Sequence, residues 1–380
     1  MATYAGVCLW NYRPVFPDEP AENLSNLTSI NTFTGSLDEQ WFYLVSVAIE
    51  ARGGPVIPLM LRAISAARKG HSAVVTDCLH EMAQRLDEIV ALLERMYENC
   101  DPYVFYQRIR PYLAGSKNMA DAGLPNSVLY DDGSDNPQYG QYGGGSNAQS
   151  SLIQFFDIVL GIEHRPTGEK KQPEQPSATD ADKDGGVAGA APRHGFIQEM
   201  RSYMPGPHRR FLEHVNAVAN IREFVESRRS DNALCIAYDA CLYMLRTMRD
   251  KHIQIVSRYI IVQSRQQAHT TPPTKTDPST TNNNPNNTKQ NLANSRHNGD
   301  KKNLRGTGGT ALIPFLKQAR DETGEPAIDA WARRLLGDAP AKSSVVSLSK
   351  IGEHADGNLE VVGLSGTWAI DDFDGGICHW

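Results

Sequence analysis

The feature that most constrains this chain is a helical spacing of apolar residues that recurs along most of its length. Between residues 72 and 98, apolar side chains return at intervals of three and four, the period of an α-helix with one buried face. Similar runs occur at 56–69, 208–227 and 232–262, and no alternation of strands with helices suggests a parallel sheet. The sequence therefore predicts an all-α fold.

Helix start signals place the remaining helices. Ser36 and Glu39 form a capping box ahead of an apolar run at 41–49. An Asp-Pro pair at 101–102 begins a helix that is expected to end near residue 113. Further helices are predicted at 150–162, 195–204, 311–320 and 328–336.

Two segments interrupt this pattern and are predicted to be disordered loops. Residues 165–193 are rich in Pro, Gly, Lys and Asp, and residues 264–305 are dominated by Gln, Thr, Asn and Pro. We therefore expect one helical domain over 36–336 that contains both loops. A linker-like segment at 1–35 precedes it, and the tail at 337–380 receives no structural assignment.

Composition and charge argue against several functional classes. Hydrophobic residues make up 40% of the chain, which is enough for a sizeable core, and the net charge of −6 argues against a nucleic-acid surface. No apolar run is expected to span a membrane, and the first residues lack a signal-peptide pattern. The chain is thus expected to be a cytoplasmic monomer that binds neither nucleic acid nor membrane. The six cysteines lack C-x-x-C spacing, which indicates reduced thiols: Cys8, Cys78, Cys100, Cys235, Cys241 and Cys378.

One histidine lies in register with the apolar face of the predicted helix at 232–262. His252 falls between Met248 and Ile255, so its side chain is expected to point into the core. A buried imidazole can satisfy its nitrogens by binding a metal and donating to a neighbour, as a proximal haem ligand does. On spacing alone, a core histidine held by ordinary hydrogen bonds is the commoner outcome.

The sequence that begins at His252, H-I-Q-I-V-S-R-Y-I, resembles the proximal-helix signature of the indoleamine 2,3-dioxygenases. Four other segments resemble family motifs in the same order: 42–46, 105–115, 144–151 and 306–310. Each motif is weak alone, whereas five in one order form a specific pattern that spans about residues 4 to 320. This resemblance favours His252 as an iron ligand over a core histidine.

The resemblance implies a helical haem-binding domain that uses haem b, dioxygen and L-tryptophan or related indoleamines. Both oxygen atoms would be inserted across the indole C2–C3 bond to give N-formylkynurenine, the first step of the kynurenine pathway of tryptophan catabolism and NAD biosynthesis. Family members carry a small helical domain before the point matched by Met1, so this chain is expected to lack it. The alternatives are a haem- or oxygen-binding protein of the same fold without catalysis, a truncated inactive homologue, and a haem-free helical interaction protein.

The resemblance also implies roles for individual residues. Arg110 would pair with the substrate carboxylate, because a guanidinium matches a carboxylate in a bidentate manner. Phe105 would stack on the indole, and Ser46 would lie near the bound oxygen, completing the catalytic set. The indole pocket would be lined by Tyr4, Val7, Cys8, Phe42, Tyr43, Tyr106, Leu113 and Thr307. The cofactor would be held by Gly144, Gly145, Ser146, Arg249 and His252, with His252 on the iron and Arg249 on a propionate.

Overall fold

The chain is represented by a computed structural model that separates into two compact units, Met1–Gly337 and Asp338–Trp380. The structure describes residues 2–19, 23–117, 119, 123–134, 137–169, 195–270, 306–309, 311–336, 350–353, 359–363 and 366–369. Most of the two low-complexity segments, 165–193 and 264–305, therefore lies outside the described residues. Within the described part, α-helix continues as far as Thr270, so the first residues of the second segment are helical.

The first unit is built mainly of helices, which confirms the all-α prediction. The described α-helices, in chain order, are α1 (Leu37–Gly53), α2 (Val56–Arg68), α3 (Ser72–Glu94), α4 (Met96–Asn99), α5 (Pro102–Val104), α6 (Arg110–Leu113), α7 (Ser151–Val159), α8 (Phe196–Met200), α9 (Gly206–Val218), α10 (Ile221–Glu226), α11 (Asn232–Val256), α12 (Gln263–Thr270), α13 (Leu312–Gly324) and α14 (Ala330–Leu336). Three further segments are wound as π-helix: Ala5–Leu9, Phe105–Ile109 and Ser257–Val262.

The described strands are short and antiparallel. In the first unit, β1 (Tyr12–Pro14) pairs with β2 (Leu27–Ser29), and β3 (Val128–Tyr130) pairs with β4 (Gln138–Gly140). In the second unit, β5 (Lys350–Glu353), β6 (Leu359–Gly363) and β7 (Gly366–Ala369) form one sheet in that order. The tail at 337–380 received no structural assignment from its sequence, and its described residues form these three strands.

The start of α1 shows how a capping signal is used. Ser36 accepts a hydrogen bond from the Glu39 amide at 3.2 Å, as the capping box predicts. The Glu39 carboxylate instead turns outward from the helix and accepts from the amides of Phe33 and Thr34, at 2.8 and 2.7 Å, and from the Tyr43 hydroxyl at 2.9 Å. This buried carboxylate therefore fastens the chain entering α1 to the helix itself.

The centre of the first unit is formed where α3 packs along α11. Apolar side chains from both helices are excluded from solvent there, including Leu79 and Leu242. Two polar side chains find backbone partners in this core. The Cys241 thiol donates to the Leu79 carbonyl, and the Tyr238 hydroxyl donates to the Leu160 carbonyl at 2.6 Å. These two bonds help to hold the N-terminal half of α11 in position.

Shortening one core side chain should measure how much the core contributes to the free energy of unfolding of the first unit. We expect Leu79→Ala to lower the free energy of unfolding by about 2–5 kcal/mol, because it removes a buried side chain and leaves a cavity. Leu61→Ala on α2, where the leucine is 38% exposed, is the matched control and should cost under about 1 kcal/mol. Denaturant unfolding followed by circular dichroism measures both. Equal losses in the two variants would contradict the assignment of the core.

One helical stretch of the described residues, Leu37–Arg68, is long and apolar enough to cross a membrane by length and composition. This differs from the expectation that no apolar run reaches that length. A buried core helix passes the same test, so this is weak evidence. Leu44, Val45 and Ala48 in this stretch are buried against the rest of the unit.

Candidate active site

A large cavity lies among α1, α7, α11, α13 and the helical path from 102 to 113. Its cavity volume is about 260 Å³, close to the lower end of the roughly 300–1,000 Å³ of a typical ligand pocket. Thirteen residues singled out from the sequence line it: Tyr4, Val7, Cys8, Phe42, Ser46, Phe105, Arg110, Leu113, Gly145, Ser146, Arg249, His252 and Thr307.

Three residues assigned to the site do not line this cavity. Tyr43 is buried and donates its hydroxyl to Glu39 at 2.9 Å, on another side of α1. Tyr106 is fully buried beside Arg110, whose guanidinium carbon lies 5.7 Å from the centre of the tyrosine ring. Gly144 packs against the backbone at Leu113, and a Cβ atom at this position would lie 2.0 Å from the Leu113 carbonyl oxygen. The first two therefore support lining residues, and the third permits close packing of backbone.

His252 lies near the C-terminal end of α11, on the wall of the cavity. Burial, and then the neighbouring Arg249 charge, lower the pKa of His252 to about 4. Its imidazole is therefore neutral at pH 7, which is the form that binds a metal. Within the described residues, no hydrogen bond engages either ring nitrogen, so the ring is free to act as a ligand.

Arg249 lies one turn before His252 and is 9% exposed. Its Nη2 contacts both carboxylate oxygens of Asp157 on α7, at 2.7 and 2.8 Å, and its Nη1 donates to the Thr323 hydroxyl on α13. Burial alone would raise the pKa of Asp157, but Arg249 and then His164 hold it below its ordinary value. The role of Arg249 on a propionate stays a prediction, because its described partners are protein side chains.

The π-helical segment Phe105–Ile109 brings two functional side chains to one wall. In an α-helix, Phe105 and Arg110 would be about 140° apart around the axis, at 100° per residue. A π-helical turn closes between residues five apart, so it moves these side chains toward the same face, and both line the cavity. Pro111 favours this winding because it has no amide hydrogen for the Gln107 carbonyl.

Arg110 is 1% exposed and is the largest fully buried side chain of the described residues. Burial lowers its pKa to about 10, so the guanidinium still carries its charge at neutral pH. A guanidinium presents N–H donors in a planar fork that matches the two oxygens of a carboxylate. The arrangement can therefore bind a carboxylate inside the cavity.

Aromatic rings form the wall next to Arg110. Phe105 lies 4.8 Å from Phe42 and 5.7 Å from Tyr259, measured between ring centres. The Tyr259 hydroxyl donates to the Cys100 carbonyl at 2.5 Å, which fixes its ring. An aromatic ligand can pack against these rings in offset or edge contacts.

A group of polar side chains contacts α1 at another part of the cavity. Burial raises the pKa of the Cys8 thiol, and the Ser46 side chain partly opposes this rise. Glu50, one turn further along α1, accepts from the Tyr4 hydroxyl at 2.9 Å and from the Ser150 hydroxyl at 2.5 Å. Burial raises the pKa of Glu50 and of Tyr4, so the tyrosine stays protonated.

Two glycine-containing loops close the cavity together. The Thr307 hydroxyl donates to the Gly145 carbonyl at 2.6 Å, and the Gly144 amide donates to the Thr307 carbonyl at 3.0 Å. Ser146 and Asn147 follow on the same wall. Asn147 is exposed and also lines the cavity.

Thr307→Val should loosen this closure, because it removes a hydrogen bond worth about 1 kcal/mol while preserving shape. We expect KM for the substrate to rise about fivefold with little change in the thermal unfolding temperature. Steady-state kinetics and a melting curve measure the two effects. Thr28→Val, at a hydroxyl bonded to Gln40 away from the cavity, is the control. An unchanged KM in Thr307→Val would contradict the closing role.

Comparison with known proteins identifies the family. The family model described as indoleamine 2,3-dioxygenase matches residues 1–326. The chain is 41% identical over 331 residues to the indoleamine 2,3-dioxygenase of Saccharomyces cerevisiae, covering 85% of this chain and 67% of that protein. It is 31% identical to indoleamine 2,3-dioxygenase 1 of Mus musculus, covering 87% and 68% of the two chains. It is 34% identical to the 6-hydroxytryptophan 2,3-dioxygenase of Fusarium equiseti, covering 85% and 69%.

This chain thus spans about two thirds of the length of those relatives. The family match covers the described helices from α1 to α13 and every residue that lines the cavity. The named relatives indicate that this chain is an oxidoreductase, a dioxygenase that acts on indoles. The chain belongs to the indoleamine 2,3-dioxygenase family.

Proposed function

We propose that this chain is a haem-dependent dioxygenase that adds both atoms of O2 across the indole C2–C3 bond of L-tryptophan and forms N-formylkynurenine. The observation that carries the proposal is one cavity lined by a neutral imidazole, a buried guanidinium and an aromatic wall. Every atom of tryptophan and dioxygen is retained in the product, so no further reductant enters the overall equation.

The residues present fit haem b. Within the described residues no group of three or more His, Cys, Asp or Glu side chains could hold a bare metal ion. A lone imidazole is a poor site for free zinc or iron, but it is what a porphyrin-bound iron requires as its protein ligand. His252 would hold the iron, and the backbone of Gly145 and Ser146 would lie beside the ring. When bound, haem supplies the chemistry that activates dioxygen.

The chain's own residues would then bind and orient the substrate. Arg110 would pair with the carboxylate of L-tryptophan, and the rings of Phe42 and Phe105 would pack against its indole. Holding the reacting atoms in place in this way supplies much of the catalytic effect of such a site. Leu113 and Val7 complete the apolar wall and exclude water.

The lining residues favour positioning over proton transfer. The pKa values of Tyr4 and Cys8 are raised by burial, so both groups stay protonated, and Asp157 is held by Arg249. Ser46 can donate a hydrogen bond within the cavity. We therefore assign Ser46 the role of orienting the reacting oxygen.

The choice of indole is a separate part of the proposal. One relative is a 6-hydroxytryptophan 2,3-dioxygenase, so a hydroxylated tryptophan is the second candidate substrate. Within the described residues the five cysteines Cys8, Cys78, Cys100, Cys235 and Cys241 are unpaired thiols, which supports a reducing, cytoplasmic setting. A monomer that binds neither nucleic acid nor membrane completes the proposal.

Isotope labelling tests the reaction directly. Reduced, haem-loaded protein is incubated with L-tryptophan under 18O2, and the product is examined by mass spectrometry. We expect N-formylkynurenine with two labelled oxygen atoms. A product with one labelled atom, or no product from L-tryptophan or 6-hydroxytryptophan, would contradict the proposed dioxygenase.

A further inference from the structure

A buried histidine outside the cavity joins three parts of the first unit. His164 follows α7, and its side chain is 8% exposed. Its Nε2 lies 3.1 Å from Asp157 on α7, and its Nδ1 lies 2.7 Å from Glu322 on α13. Both carboxylates are buried. A neutral imidazole has one N–H group and could donate to one of them, whereas an imidazolium donates to both.

Charges around His164 favour this protonated form. Burial alone lowers the pKa of a histidine, but Asp157 and then Glu322 hold the pKa of His164 above its ordinary value, against an opposing effect of Arg249. On its own segment, Arg165 pairs with Glu325 and donates its amide to Glu322 at 3.2 Å. Arg201, which directly follows α8, interacts electrostatically with Asp157.

The same carboxylates connect His164 to the wall of the cavity. Asp157 holds Arg249, which lies on the helix of His252 one turn away. Glu322 and Thr323 belong to α13, and Ala319, one turn earlier on that helix, lines the cavity. Gln318 also donates to Glu322, at 2.8 Å. Loss of the charge on His164 would leave two buried carboxylates with fewer donors, in a region where an unpaired charge is costly.

We propose that His164 is a positioning residue for the haem site: as an imidazolium it fastens α7 to α13, orients Arg249 through Asp157, and makes haem affinity depend on pH. The inference rests on the proposed function because its effect is read as haem affinity. The His164 imidazole is charged at low pH and loses this charge as the pH rises through its raised pKa. Haem affinity should therefore fall on the alkaline side.

The test is a titration of the haem-free full-length chain with haemin, followed by the Soret band, between about pH 6 and about pH 9. We expect the affinity of the unmodified protein to fall about tenfold across this range, at the lower end of effects on outer-shell partners of metal ligands. His164→Gln should be about tenfold weaker at about pH 6 and should change little with pH. His208→Gln, at a histidine that contacts Ser151 outside the cavity, is the matched control and should follow the unmodified protein.

A second variant separates positioning from a general loss of folding. Glu322→Gln preserves size but removes one of the two carboxylates that raise the pKa of His164. The alkaline fall in affinity should therefore move to lower pH, a shift that a purely structural contact would not produce. Melting curves of the haem-free variants over the same pH range provide a readout without haem, and the fall in melting temperature should move in the same direction.

The outcomes of these experiments distinguish failure of the positioning role of His164 from failure of the proposed function. Haem uptake with equal affinity and an equal pH profile in the unmodified protein, His164→Gln and Glu322→Gln would overturn the positioning role and leave the proposed function intact. An unmodified protein that takes up no haem would overturn both.

Discussion

Replacing His252 with alanine is expected to abolish the Soret band of the haem-loaded protein and all product formation from L-tryptophan. The imidazole is neutral because burial lowers its pKa to about 4, and no described hydrogen bond competes for its nitrogens. Haem affinity should fall by more than about 100-fold, beyond the range typical of changes to outer-shell partners. Absorbance titration with haemin measures this loss.

A rescue experiment separates loss of the ligand from loss of folding. His252→Gly leaves a space that imidazole in the buffer can fill, so added imidazole should restore part of the Soret band. His80→Ala, at an exposed position on α3, is the control. A His252→Ala protein with unchanged haem affinity would show that another residue holds the iron, and would contradict the assigned site.

Replacing Arg110 with alanine should lower kcat/KM for L-tryptophan by about 100-fold or more, because removing one partner of a buried charge pair costs several kcal/mol. Arg110→Lys should recover little of this loss, since an ammonium does not match a carboxylate in a bidentate manner. Steady-state kinetics with L-tryptophan measure the effect. Arg108→Ala, at an exposed arginine of the same segment, is the matched control and should behave as the unmodified protein.

Tryptamine provides the decisive comparison for Arg110, because it has the indole and amine of tryptophan but no carboxylate. We expect the unmodified protein to use tryptamine poorly, and Arg110→Ala to lower its turnover little further. If Arg110→Ala lowers activity on both compounds by the same factor, then the guanidinium supports the fold of the wall, and the carboxylate clamp is wrong.

The helical fold could be anticipated because apolar spacing reports burial directly. The runs that became α3 and α11 have the period of a half-buried helix, and these helices form the core. The π-helical winding at Phe105–Ile109 could not be anticipated, since no residue in it has a strong preference for that register. The nearby Pro111 was the available signal, because it removes one amide hydrogen.

Individual site residues were harder to assign than the fold. Tyr43 and Phe42 are neighbours on α1, yet Phe42 lines the cavity and Tyr43 bonds to Glu39 on another side. A family motif gives both residues together, whereas the helical turn separates them by about 100°. Tyr106 follows Phe105 in the chain, and in the same way it does not line the cavity although Phe105 does.

Contacts between distant segments were not visible in the sequence. Asp157, His164 and Glu322 come together although up to 165 positions separate them in the chain. None of these residues lies in a spacing that predicts a charged cluster. Pairing of buried charges depends on how α7, α11 and α13 pack, and the local spacing of residues along the chain does not indicate that packing.

The most direct test of the account is a visible spectrum of purified, haem-supplied, ascorbate-reduced protein, recorded with and without L-tryptophan while the absorbance of N-formylkynurenine is followed. A haem-dependent tryptophan dioxygenase should show a Soret band and growth of product absorbance upon addition of L-tryptophan. The absence of a Soret band would contradict the central claim and would make His252 an ordinary core histidine.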